Sequence, residues 1–242
     1  MTTDEPIHDS SKKQEQQGIE GGSDLGIKPD STEDDDVRLD ITVILDRSGS
    51  MESICDDAIG SFNAFLNSRK ESNPDSLITV VLFDDEYQVR ESAVPITSVQ
   101  PLTRTSYVPR GSTALLDAIG LTIRAIEERA HENEEIMIAI LTDGQENASV
   151  RYSLEQIRSL IQKKEEQDWD FVYLSADPSA FTDGMAMGFQ ASKMAMYDKE
   201  DIHQAYAYMD EMLATKMAKA RYIKSMKRRM QNDKEMNDNM YQ

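Results

Sequence analysis

One cysteine, Cys55, occurs in 242 residues, so no intramolecular disulfide can form. It shares one side of a predicted helix with Met51, Ile59, Phe62 and Leu66, which reads as a small core residue rather than a reactive thiol. Long apolar runs are missing as well. None approaches the roughly 20 residues that a bilayer requires, and no charged-then-apolar leader opens the chain. A soluble, cytoplasmic protein without a transmembrane segment is expected. Histidine is scarce: His8, His131 and His203 fall in the amino-terminal tail and on predicted helices, away from strand-end loops. A positioned general base for hydrolysis is therefore not evident. Positive charge is also short, for the net charge is −19.

That imbalance is uneven. Residues 1–36 hold eleven acids against three bases, whereas residues 212–242 hold eight bases against three acids. The acidic middle excludes general nucleic-acid binding by the core, because neutralising phosphates needs clustered Lys and Arg. Only the carboxyl-terminal tail could do that. Three segments follow from this division. Residues 1–36 are polar, contain Gly21-Gly22 and end in Glu33-Asp34-Asp35-Asp36; they form an acidic leader expected to be disordered, serving either as a docking tail or as a solubilising segment. Residues 37–211 form a folded domain, and residues 212–242 a basic, Met-rich helical tail.

Within the domain, strands are predicted at 38–45, 77–83, 87–93, 136–141 and 170–175, with a weaker sixth near 193–197. Helices are predicted at 51–69, 113–130, 153–167, near 178–188, and from 199 onward. Short apolar strands alternating with amphipathic helices imply an α/β fold: a doubly wound, mostly parallel six-stranded sheet with helices on both faces. Phe83-Asp84-Asp85-Glu86-Tyr87 reads as a tight turn that makes 87–93 an antiparallel edge strand, with Asp84 and Asp85 as turn residues. Asp177 reads as a helix cap or turn residue.

The chemistry concentrates at strand ends. Asp46-Arg47-Ser48-Gly49-Ser50 follows the apolar run Ile41–Leu45 and delivers a carboxylate and two hydroxyls at positions i, i+2 and i+4. Such a set, with oxygen donors only, suits a hard divalent cation better than Zn²⁺ or copper. Gly111-Ser112-Thr113 places another hydroxyl at the start of a helix whose apolar side holds Leu115, Leu116, Ile119, Leu121 and Ile123. Ile136–Leu141 ends in Thr142-Asp143-Gly144. Ligands of open doubly wound sheets bind at the carboxyl ends of strands where the strand order reverses, so the strands ending at Asp46 and Asp143 should be neighbours there.

With these three motifs in this order, the chain resembles the von Willebrand factor A family from about Val37 to about Asp201. The resemblance implies that Asp46, Ser48, Ser50, Thr113 and Asp143 form a complete metal-ion-dependent adhesion site, with Arg47 and Gly49 pointing away from the ion. It implies Mg²⁺, or Mn²⁺ on the same ligands, and a protein partner that offers an acidic side chain to the metal. The stretch Phe171–Asp177 with Ala180-Phe181 and Met187-Gly188 is similar, more loosely, to intracellular bacterial and phage members, which work beside ATPases or in multi-protein assemblies. An adaptor or scaffold role is expected.

Two other functions compete. A strand-end aspartate beside Mg²⁺ could serve a metal-dependent hydrolase, as in haloacid-dehalogenase-like phosphatases, but those need a second carboxylate two residues later, where Ser48 stands. A non-enzyme is expected. The tail offers the other alternative. Tyr206, Met209, Leu213, Met217, Ala220, Ile223, Met226 and Met230 form an amphipathic stripe, whose later part also carries Arg221, Lys224, Lys227, Arg228 and Arg229. These residues could form a solvated helix, dock in a partner's groove, bind nucleic acid or an anionic membrane, or fold back on the acidic body.

Overall fold

The computed structural model describes residues 37–131, 133–199 and 201–240, and the acidic leader expected at 1–36 lies outside them. Six strands form one sheet: β1 (Arg38–Asp46), β2 (Leu77–Phe83), β3 (Tyr87–Pro95), β4 (Glu134–Thr142), β5 (Asp170–Ser175) and β6 (Met194–Met196). Their order is β3-β2-β1-β4-β5-β6, parallel throughout except that β3 runs antiparallel to β2. Five α-helices accompany them: α1 (Cys55–Ser72), α2 (Leu115–Glu127), α3 (Leu154–Glu165), α4 (Pro178–Ala186) and α5 (His203–Met240). The α/β doubly wound sheet with one antiparallel edge strand is thus the observed architecture.

The central strands are apolar almost without a break because both their faces are covered. Side chains alternate across a strand, so β1 sends Ile41, Val43 and Leu45 into the core under α1 and α5. Ile44 joins the opposite core beneath α2 and α3, with Ile138, Ile140, Phe171 and Tyr173. Truncating such a side chain to alanine costs about 2–5 kcal/mol through lost burial and the cavity left behind. Cys55 is buried in the α1 core, as its spacing suggested. Leu121, expected on the apolar side of α2, is only half-buried; Thr122 and Ile126 lie inside instead.

Edge strand β3 is interrupted by a bulge opposite Ile78–Val81, where Ala93 takes a positive φ of 47° and its N–H donates to Thr79 Oγ1 at 3.0 Å. Such irregularity blunts an otherwise open sheet edge. The helix predicted from residue 51 opens as a 3₁₀ turn, Gly49–Ile54, and becomes α-helical at Cys55. His131, expected on a helix, lies in the connection between α2 and β4, because α2 ends at Glu127. Asp177 caps α4 by accepting from the Ser179 N–H at 2.8 Å.

The boundary expected between residues 211 and 212 falls inside α5, a single helix from His203 to Met240. Tyr206, Met209, Leu213, Met217 and Ala220 are buried on the body, and the buried Lys216 ammonium reaches Asp170 at 2.8 Å and Glu135 at 3.1 Å. The packed part therefore extends to Ala220, because the apolar stripe does not stop at the change of charge. Beyond it, Tyr222, Ile223, Met226 and Met230 are exposed. Among the described residues, no helix is long and apolar enough to cross a membrane.

Candidate metal centre

From β1 the chain runs outward through β2 to β3, and from β4 through β5 to β6, so the strand order reverses between β1 and β4. These two strands pair directly, and at their carboxyl ends stand Asp46 and the Thr142-Asp143 pair. A crevice between diverging loops is unavoidable at such a point.

Asp46 is fully buried, and each of its carboxylate oxygens accepts a hydrogen bond. The Ser48 N–H reaches its Oδ1 at 2.6 Å, and the Thr142 hydroxyl donates to its Oδ2 at 2.6 Å. Burial nevertheless pushes its carboxyl up to about 6; the hydrogen bonds from Thr142 and Ser48 oppose this, and the nearby Asp143 charge adds to it. An ionised Asp46 is thus costly in the protein alone and would be favoured by a cation beside it. Ser48 and Ser50 hydroxyls lie 3.1 Å apart, and Ser50 Oγ donates to Asp143 Oδ1 at 2.6 Å.

Gly144 shows how tightly the remaining donor converges. A Cβ on this glycine would sit 3.1 Å from Thr113 Oγ1, 3.4 Å from Ser50 Oγ and 3.7 Å from Ser48 Oγ. Three hydroxyls from two separate loops therefore face one small space that the glycine leaves open. Ser48, Thr113 and Asp143 are buried whereas Gly49 and Ser50 are exposed, so this space has a mouth toward solvent. Two carboxylates and three hydroxyls fit a hard divalent cation, for which oxygen ligands with room for water are the preferred set. Among the described residues, no group of three or more His, Cys, Asp or Glu offers a competing metal cluster.

The supporting shell went unseen in the sequence. Asp84 is a buried anchor rather than a plain turn residue: its Oδ2 accepts from Arg47 Nε at 2.8 Å and from Arg110 Nε at 2.9 Å, and its Oδ1 from the Glu86 N–H at 2.6 Å. Arg47 thereby turns away from the three hydroxyls. The same loops are stitched by backbone bonds, Arg110 N–H to Arg47 C=O at 2.8 Å and Gly49 N–H to Gly111 C=O at 3.2 Å. Gly111 has φ +65°, a left-handed backbone that favours glycine, and a Cβ there would force the Asp85 carboxylate to move.

A second zipper holds Thr113. Asn147 accepts from the Thr113 N–H at 2.9 Å and returns its own N–H to Thr113 C=O at 3.0 Å. Glu146 accepts from the Leu116 N–H at 2.9 Å in the first turn of α2, and Asp117 accepts from the Val150, Arg151 and Tyr152 N–H groups at 2.8–3.0 Å. The helix thus begins at Leu115, two residues after Thr113. One more basic group touches the centre: Lys199 Nζ lies 2.8 Å from Asp143 Oδ2.

Five sequence-predicted residues, Asp46, Ser48, Ser50, Thr113 and Asp143, are thus brought together. The basic tail residues lie away from this centre. Arg221, Lys224 and Lys227 border a cleft with Val37, Arg38 and Glu134, at the amino ends of β1 and β4. Arg228 and Arg229 are exposed further along α5.

Comparison with curated proteins returns no match. Several solved structures share the fold. The vWF domain of the type V pili tip protein Mfa5 from Porphyromonas gingivalis superposes with a TM-score of 0.59 at 9% identity, over 75% of this chain and 96% of that one. The manganese-loaded TRAP protein of Plasmodium vivax gives 0.54 at 16% identity, over 72% of each chain. The pilus adhesin SpaC of Lactobacillus rhamnosus GG, in an open conformation, gives 0.55 at 12% identity, over 74% of this chain and 30% of that one. At such identities the likeness is one of fold. In sequence, residues 41–145 match the family model described as von Willebrand factor type A domain.

Proposed function

We propose that the chain is a Mg²⁺-dependent protein-binding domain in which Asp46, Ser48, Ser50, Thr113 and Asp143 hold the ion. The observation that carries this reading is the convergence of the Ser48, Ser50 and Thr113 hydroxyls on the space beside Gly144, next to two buried carboxylates. When bound, a divalent ion supplies an electrophilic centre with open positions for an acidic oxygen of a partner. The chain's own residues do the rest. Asp46 and Asp143 balance the charge, Thr142 and the Ser48 N–H fix the Asp46 carboxylate, and the exposed Gly49–Ser50 rim leaves the mouth accessible. Mn²⁺ suits the same oxygens, and the TRAP structure is a manganese-loaded one.

In this reading the protein is a cytoplasmic adaptor or scaffold of bacterial or phage type and not an enzyme, working beside an ATPase or within a multi-protein assembly. Its lone, buried cysteine suits a reducing compartment. A pull-down from native lysate tests it, with wild type in Mg²⁺, wild type in EDTA, and Asp46→Ala combined with Ser48→Ala. Proteins retained only by wild type in Mg²⁺ support the reading, and an identical catch in all three contradicts it.

One observation favours a second reading. The exposed face of α5 carries Arg221, Lys227, Arg228 and Arg229 beside Tyr222, Ile223, Met226 and Met230, a surface suited to nucleic acid or an anionic membrane. Binding through it would weaken steeply with salt and ignore EDTA.

A further inference from the structure

We infer that Lys199 is a built-in counter-ion of the centre, whose ammonium competes with the divalent cation for Asp143 and so sets metal affinity. The inference rests on the metal-binding reading above and deepens it. Lys199 Nζ lies 2.8 Å from Asp143 Oδ2, while Ser50 Oγ occupies Oδ1 at 2.6 Å, so both oxygens of this carboxylate are engaged. The Asp143 side chain is wholly buried; that of Lys199 is 42% exposed. The lysine therefore covers the carboxylate and still has a path into water.

Charge decides the competition. With Asp46 and Asp143 ionised, the centre holds two negative charges, and the ammonium offsets one of them. A divalent ion offsets both, after which the ammonium is a surplus positive charge beside another cation. Its exit is easy, because the side chain is half in solvent.

The backbone gives this exchange a direction. Lys199 sits two residues after Tyr197 and four before His203, the first residue of α5. Tyr197 is fixed to the centre: its hydroxyl donates to Thr142 C=O at 3.3 Å and its N–H to Ser175 C=O at 3.1 Å. On the other side, Asp201 N–H closes a turn onto Asp198 C=O at 2.8 Å, and Ile202 is buried. Between these two anchors Lys199 bridges the metal centre to the start of α5, so displacing it removes a side-chain tie between the centre and the segment that leads into that helix.

Calorimetric titration with MgCl₂ of wild type, Lys199→Met and Lys199→Arg tests the inference, together with amide exchange of a peptide spanning residues 197–203. A half-exposed ion pair weighs about 1 kcal/mol at most, so Lys199→Met should bind Mg²⁺ about fivefold more tightly and Lys199→Arg close to wild type. In wild type, Mg²⁺ should speed exchange in the 197–203 peptide; in Lys199→Met exchange should already be fast without metal. Equal affinities with unchanged exchange overturn the inference and leave the metal-binding reading standing. No heat of binding in any of the three proteins overturns both.

Discussion

Thr142 Oγ1 donates to Asp46 Oδ2 at 2.6 Å, so the last residue of β4 holds the last residue of β1 across the point where the strand order reverses. Both side chains are completely buried. Thr142→Val keeps the shape of the side chain but strands one oxygen of a buried carboxylate, which costs about 1–3 kcal/mol. Urea denaturation in EDTA should show that loss, whereas Thr142→Ser should retain most of the stability.

Asp46 also gives the metal-free protein a defined pH dependence. Its carboxyl is pushed from 3.8 to about 6 by burial. Between those values the folded chain binds the extra proton and the unfolded chain does not, so this group makes the fold more stable as pH falls from above 6 toward 4. The difference amounts to about 3 kcal/mol. In EDTA, the stability of Asp46→Asn relative to wild type should accordingly rise between pH 4 and pH 7.5, because the amide does not titrate. Denaturant midpoints of both proteins at the two pH values measure it. A constant gap would show that the carboxylate is not strained by burial.

Gly144 separates binding from folding. Its alanine variant places a methyl group among the Thr113, Ser50 and Ser48 hydroxyls, within 3.1–3.7 Å of each. Wild type with Mg²⁺ at one hundred times its dissociation constant should gain about 2.7 kcal/mol of stability. Gly144→Ala should lose that gain, while in EDTA its stability stays within about 1 kcal/mol of wild type. Thermal unfolding with and without Mg²⁺ distinguishes the two effects.

The buttress behind the centre should be asymmetric. Arg47 is buried with Asp84, whereas the Arg110 side chain is 49% exposed. Removing Asp84 leaves the Arg47 guanidinium buried without its main partner, at a cost of about 3–5 kcal/mol. Arg110→Met should cost less than about 1 kcal/mol, because its side of the pair is in water. Equal losses from Asp84→Ala and Arg110→Met in denaturant melts would contradict this division.

The parts legible in the sequence are those written locally. Apolar runs such as Ile41–Leu45 and Ile136–Leu141 mark two-sided strands, and Asp46, directly after the first, and Asp143, one residue beyond the second, mark their carboxyl ends. The reversal of strand order then brings Asp46 and Asp143 to one crevice, while the Ser48, Ser50 and Thr113 hydroxyls are named by the resemblance to the von Willebrand factor A family. The shell around them depends on partners far apart in the chain. Nothing around Asp84 announces that Arg47 and Arg110 will bury it, and nothing in Glu146-Asn147 indicates that Asn147 ties down Thr113 and Glu146 the Leu116 N–H, thirty or more residues earlier. Lys199 was invisible for the same reason: a lysine in a polar connection looks solvated until the fold sets it against a buried carboxylate. At α5, the stripe from Tyr206 to Met230 is legible as one amphipathic helix, whereas the depth to which it packs, as far as Ala220, depends on the body it meets.

In the proposed function, Asp46, Ser48, Ser50, Thr113 and Asp143 act together as one cation site. Calorimetric titration of chelator-stripped protein with Mg²⁺ tests it most directly, with Asp46→Ala and Thr113→Ala alongside wild type. One ion per chain is expected in wild type, and no saturable binding in either variant. Binding that survives both substitutions, or no binding to wild type, would contradict it.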